Sequence, residues 1–265
     1  MLTDIFAYDF MQRAFAASGM VAIVAGAVGY FLVLRGQTFA GHALSHIGFA
    51  GATGAALLGL SPLGGMLVFI VLAGIGMGAL GERLSGRDVG IGIVLALALG
   101  FGLLFMKLYP SNAAQVTSLL FGNVLAVSKS VLVSLAGLAA LTLAGLAAIG
   151  RPLLFASLQP ELAEARGVRV RLVGILFLAI VAVAVAQSVQ IVGVLLVFAL
   201  MVGPPATAML LTTRIGVGIG LSALIALAEA WGGIFIAFHT DWPTSFCITA
   251  LAAAAYLAVL ALRKG

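Results

Sequence analysis

Apolar runs of about twenty residues follow one another along the chain, and nearly all the charge sits in the short breaks between them. A helix needs roughly 20 predominantly apolar residues to cross a bilayer, so each such run predicts a membrane-crossing helix. Reading the runs against charges and Pro/Gly breaks predicts about nine spans, eight to ten at the limits. They fall near 14–34, 39–60, 63–81, 90–108, 130–149, 171–189, 191–212, 216–238 and 244–262. Segment 111–128 is too short and too polar to span and reads as a surface-lying or partly buried connection. The expected fold is an all-α polytopic membrane protein in which residues 1–265 form a single transmembrane domain.

Composition agrees with the pattern. Hydrophobic residues make up 63% and charged residues 8%, against about 25% charged in soluble domains. The mean hydropathy is +1.27. A net charge of +5 on such a chain reports orientation, and no nucleic-acid partner is expected. If the N-terminus lies outside, the inner segments hold Arg35, Arg83, Arg87, Arg151, Arg166, Arg169, Arg171, Arg214, Arg263 and Lys264. The outer segments then hold Arg13, Lys107 and Lys129. Ten against three satisfies the positive-inside rule, so the expectation is N-out and C-in. Asp4 and Asp9 precede the first apolar run where a cleaved leader would be basic, so that run reads as a retained span. The lone Cys247 excludes an internal disulfide framework and a cysteine metal cluster, and reads as an apolar filler.

Glycines recur at helical spacing. Gly74/Gly78 and Gly216/Gly220 are GxxxG pairs that allow close helix approach, although a Gly/Ala-rich composition also produces such pairs by chance. Gln187 and Gln190, near an outer helix end, read as interfacial.

Two stretches carry candidate chemistry. His42 and His46 stand four residues apart within a predicted span, so they share one helix face. Polar side chains are costly in lipid and usually face a polar interior, which points to a cation path. The longest charged stretch runs from Arg151 to Arg171 on the inner side. Within it, Pro160 starts a short helix with Glu161 and Glu164 early and Gly167 as the stop. Such a helix is either an ordinary solvated loop or a docking element for a soluble partner.

The segment Gln159-Pro160-Glu161-Leu162-Ala163-Glu164-Ala165-Arg166-Gly167-Val168 resembles the coupling loop of ABC importer permeases of the zinc/manganese uptake type. Gly41 to His46 resembles the family's second-span G-D-x-L-x-H motif, and Leu120 to Leu125 its LFG-(D/N)-x-L segment. Val192 to Val197, with Pro204-Pro205-Ala206-Thr207-Ala208, resembles VGxLLV…PAATA, and Asp241-Trp242-Pro243 resembles the turn before the last span. The five segments occur in the family's order and cover most of the chain from about residue 35 onward.

The resemblance implies a homodimeric permease of the bacterial cytoplasmic membrane. It implies two ATP-binding subunits on the cytoplasmic loops, here about 151–171, and an extracytoplasmic metal-binding protein. The sequence has no GxxxxGK[ST] loop, so ATP would be held by a partner subunit, and no cofactor is expected beyond the transported metal. Where the family commonly has Asp, this chain has His42. Imidazole suits zinc, copper, iron or nickel, whereas carboxylate better suits manganese, so the expectation shifts towards zinc.

Other residues could complete the path. At about 1.5 Å rise per residue, His42 and His46 lie roughly 10 and 16 Å above Arg35, Pro204-Pro205 roughly 13–15 Å above Arg214, and Glu229 roughly 22 Å above it. The paired prolines are expected to break their helix near the path and free carbonyl oxygens. Glu229 could supply a ligand or pair with Arg13. His239 and Asp241 occupy a short outer loop, as a solvated turn or a point of cation access. A metalloprotease reading fails at Ala43, where HExxH needs glutamate, so no enzyme activity is expected. The other readings are an ABC permease for a metal chelate or vitamin, and a stand-alone secondary cation transporter.

Overall fold

The computed structural model describes residues 7–79, 87–108, 122 and 124–264. Among them, ten α-helices and one 3-10 turn carry nearly all the chain. The first five helices are α1 Asp9–Leu34, α2 Thr38–Leu57, α3 Pro62–Ala79, α4 Arg87–Leu108 and, after the 3-10 turn Val124–Ala126, α5 Lys129–Leu158. The last five are α6 Pro160–Ala165, α7 Val170–Val192, α8 Val194–Leu211, α9 Ile215–Thr240 and α10 Thr244–Lys264. Seven helices are long and apolar enough to cross a membrane: α1, α3, α4, α5, α7, α9 and α10.

The two expected spans that miss this threshold do so for physical reasons. α2 carries His42, Ser45, His46 and Thr53, which lower its hydropathy, and it is sheltered among α3, α4, α7 and α8. In α8 the apolar stretch is confined to Leu196–Leu211, because Gly193 at φ 81° ends α7 just before it. Such a φ is open to glycine and strained for other residues. α1 and α7 form the inner layer, with α1 packed against α5, α7, α8 and α9. The outer helices α4, α5 and α10 expose large apolar side chains such as Ile93, Leu97, Leu141 and Leu257, as lipid-facing helices do.

Small residues make the inner packing possible. A Cβ on Gly26 would lie 2.7 Å from the Ser222 carbonyl oxygen, and Ser222 Oγ donates to the Gly26 carbonyl at 2.7 Å. That bond satisfies a polar group between helices where no water is available. The Gly74/Gly78 pair is real packing: added Cβ atoms would come within 2.7 Å of the Leu178 carbonyl oxygen and 2.6 Å of Ile175 Cα on α7. Gly216 and Gly220 have nothing within 4 Å, so that pair reflects composition. Gly78→Ala is therefore expected to destabilise by ~1–3 kcal/mol through overpacking. Gly216→Ala should be neutral or stabilising by up to ~1 kcal/mol, from helix propensity. Thermal unfolding of the two variants in detergent checks the contrast.

Three expectations need correction. The loop expected to begin at Arg151 does not: α5 continues through Arg151 and Pro152 to Leu158, and one residue, Gln159, joins it to α6. Pro204 and Pro205 do not break α8, which stays helical across both. Gln187 is not interfacial; it lies in the inner layer at 1% exposure. Of the connection 111–128, residues 111–121 and 123 lie outside the described residues, as do Leu80–Gly86 with Arg83.

Candidate functional site

α2 enters from a tight turn. Arg35 caps α1, Gly36 takes φ 64°, and the Gln37 N–H donates to the Leu32 carbonyl, so three residues reverse the chain. One turn past Thr38 comes His42, and one further turn brings His46 onto the same face. Their rings meet edge to face, with centroids 4.7 Å apart and planes at 75°. Both Nδ1 atoms are buried without a hydrogen-bond partner. Two orphaned imidazole nitrogens on adjacent turns suit a cation that arrives, binds and leaves. Ser45 does not serve them, because its Oγ donates to the His42 carbonyl at 2.8 Å.

The third wall was not legible in the sequence. Phe198 of α8 lies edge-on to His42, centroids 5.1 Å apart and planes at 74°. An aromatic residue within an apolar span carries no signal by itself; only the packing of α8 on α2 brings it to the histidine.

Glu229 stands apart. It lies on α9, which packs against α1, α8 and α10, and it is 4% exposed with neither carboxylate oxygen hydrogen-bonded. Among the described residues no three His, Cys, Asp or Glu side chains come together as a metal site, so Glu229 does not join the histidine pair. Arg13 does not neutralise it by the printed contact: its Nε donates to the Val127 carbonyl at 2.9 Å.

Pro204 and Pro205 act through backbone they leave unbonded. Without proline N–H groups, the Leu200 and Met201 carbonyls lose their i→i+4 donors. The Met201 oxygen is pressed against Gly29 of α1, where a Cβ could not fit, and Pro205 packs beside it. That carbonyl serves α1–α8 packing, so it is not aimed at a cation. Gly122 is likewise wedged against the α7–α8 junction, where a Cβ would lie 2.6 Å from the Gly193 nitrogen. Two of the quoted motif segments thus meet, although Leu120, Phe121 and Asn123 lie outside the described residues.

α6 carries the coupling candidates. Ala163 is fully buried towards its neighbours α5 and α7, while Glu161, Leu162 and Glu164 are exposed. The helix ends in a Schellman motif: the Gly167 N–H donates to the Glu164 carbonyl, the Val168 N–H to the Ala163 carbonyl, and Gly167 takes φ 84°. At the other end of the molecule, His239 Nδ1 donates to the Phe235 carbonyl at 2.9 Å, its ring stacked between Phe235 and Phe238. Asp241 caps α9 in the left-handed conformation, φ 56°. Both have local structural roles there. Cys247 is buried and unbridged.

An inner helix with paired imidazoles, wrapped by lipid-facing helices and joined to an exposed capped helix beyond their ends, defines a transmembrane transport subunit. The family model described as "ABC 3 transport family" matches residues 7–263, and the chain belongs to that family. It is 30% identical to the manganese transport system membrane protein MntC of Halalkalibacterium halodurans, over 90% of this chain and 82% of that protein. It is 29% identical to a probable iron transport system membrane protein of Haemophilus influenzae, over 97% and 95% of the two chains. Among solved structures, PsaBC from Streptococcus pneumoniae in complex with Fab matches with a TM-score of 0.87 and 29% identity, covering 98% of this chain and 95% of that one. The protein is a multi-pass protein of the bacterial cytoplasmic membrane.

Proposed function

We propose that this chain is the membrane-spanning permease of an ATP-driven importer for a divalent metal cation. The observation that carries this reading is the His42/His46 pair with its two orphaned Nδ1 atoms, on a sheltered helix of an ABC 3 family member. Two permease copies would pair, and two ATP-binding subunits would dock on the exposed face of α6. An extracytoplasmic metal-binding protein would deliver the cation, with His239 and Asp241 near the point of access. ATP hydrolysis would belong to the partner subunits, leaving this chain no enzyme.

The metal follows from ligand chemistry. Two imidazoles favour zinc or another borderline cation over manganese, whereas the relatives bear names of manganese and iron transporters. Zinc therefore heads the order, with manganese and iron(II) as competitors. Two protein ligands leave a site open, with water to complete it, and an open site releases zinc where a closed four-ligand cage would retain it. Glu229, away from the pair, would serve as a separate acidic post along the path. ATP hydrolysis by the reconstituted complex, screened across zinc, manganese and iron(II), tests this reading. Stimulation by none of them would overturn it.

The topology belongs to the same proposal: nine spans, made by α1–α5 and α7–α10, with the N-terminus outside. The hydrogen bonds support the sidedness. Arg35 reaches Ser157, and Arg171 reaches the Ala79 carbonyl, pairing helix ends assigned to the inside. Arg13 reaches the Val127 carbonyl, pairing ends assigned to the outside. A reporter fused after Gly265 should be active in its cytoplasmic form; activity only in the external form would reject nine spans.

A further inference from the structure

We propose that Arg35 and Ser157 form the mechanical link between the coupling helix and the helix that carries the histidine pair. The inference rests on the import reading above and assigns its transmission to two residues. Arg35 Nη1 donates to Ser157 Oγ at 2.8 Å, across 122 positions of sequence. Ser157 Oγ in turn donates to the Leu153 carbonyl at 2.5 Å, so its hydroxyl both accepts and donates and its rotamer is set. The Arg35 guanidinium lies over the Phe177 ring of α7, 5.6 Å from its centroid, and Phe31 of α1 meets the same ring at 6.4 Å. Phe177 itself is fully buried. The arginine is therefore held by a hydroxyl on α5, an aromatic face on α7 and its own backbone at the cap of α1.

The placement of this clamp gives it a function. Ser157 sits in the last turn of α5, and only Leu158 and Gln159 separate it from Pro160, the first residue of α6. The fully buried Ala163 ties α6 to its neighbours, so a displacement of α6 is passed to the end of α5. On the other side, Gly36 and Gln37 alone separate Arg35 from Thr38, the first residue of α2. Direct packing of α1 on α2 is sparse compared with packing of α2 on α3 and α4, which leaves the turn at Arg35 as the short route into α2. A shift of α6 thus reaches His42 through Ser157, Arg35 and the first turn of α2. Arg35 and Ser157 touch no cation; they are positioning residues.

The test compares Ser157→Ala and Ser157→Thr in the full complex, reconstituted with its ATP-binding and metal-binding partners. The readout is the ratio of cation imported to ATP hydrolysed, with retention of the ATP-binding subunit measured alongside. Ser157→Ala should lower that ratio by about tenfold, the scale of one lost hydrogen bond to a charged group. ATP-binding subunit retention should be unchanged, and Ser157→Thr, which keeps the hydroxyl, should restore the ratio. A wild-type ratio in Ser157→Ala would overturn the link. So would equal loss in both variants together with loss of assembly, because that marks a purely structural serine. If the wild-type complex imports no cation on ATP, the import reading itself fails, and the proposal with it.

Discussion

Alanine at both His42 and His46 is expected to abolish ATP-coupled cation uptake while leaving the permease folded and its partners bound. The two rings are the polar groups that α2 presents together, and nothing among the described residues satisfies their Nδ1 atoms. Removing them costs the fold little, because no hydrogen bond is broken and the lost contact is one ring edge against Phe198. The cost to a bound metal is much larger. Even outer-shell partners of metal ligands are worth ~10–100-fold in affinity, so losing two direct ligands should reduce uptake by ~100-fold or more. The single variants should fall between. Acid should mimic the variants in the wild type. Neutral imidazole binds metal, its protonated form has no free lone pair, and the unperturbed group titrates near pH ~6.5. Uptake should therefore fall as pH drops through that region, and the double variant should have little left to lose. Wild-type uptake kinetics in the double variant would make the pair structural.

The second large effect belongs to α6. Replacing Glu164 by alanine together with Gly167 by valine is expected to uncouple ATP hydrolysis from transport. Gly167 holds φ 84° in the Schellman motif, and a non-glycine residue there costs ~1–2 kcal/mol. Unwinding that motif shifts the exposed face that carries Glu161 and Leu162. The buried packing of Ala163 should hold the rest of the permease in place. Uptake should then drop at least tenfold with the spans intact by circular dichroism. Unchanged uptake and unchanged ATP-binding subunit retention would remove α6 from the coupling role.

The helices were legible because burial in lipid writes itself into composition. Every expected span has its helix, and the acidic start and glycine stop of α6 are local signals that hold in three dimensions. The histidine face was legible for the same reason, since i,i+4 spacing fixes it within one helix. What lay beyond one helix was hidden. Phe198 reaches His42 through the packing of α8 on α2, and Arg35 reaches Ser157 across most of the chain. Matching heights along the membrane normal suggested that Glu229 could join the histidines, but depth says nothing about azimuth, and α9 lies against α1, α8 and α10. Consecutive prolines suggested a broken helix. The neighbouring Gly29 instead lets α1 close over the carbonyl that Pro205 leaves unbonded, and α8 continues.

The central claim is that this permease moves a divalent metal cation at the expense of ATP held by its partners. Its most direct test is cation accumulation in proteoliposomes that contain the wild-type complex, with its metal-binding partner supplied on the extracytoplasmic side and ATP on the other. The account predicts accumulation of zinc, manganese or iron(II) that requires both ATP and the binding partner. Accumulation that proceeds without ATP, or a complex that hydrolyses ATP and moves none of the three cations, would contradict it.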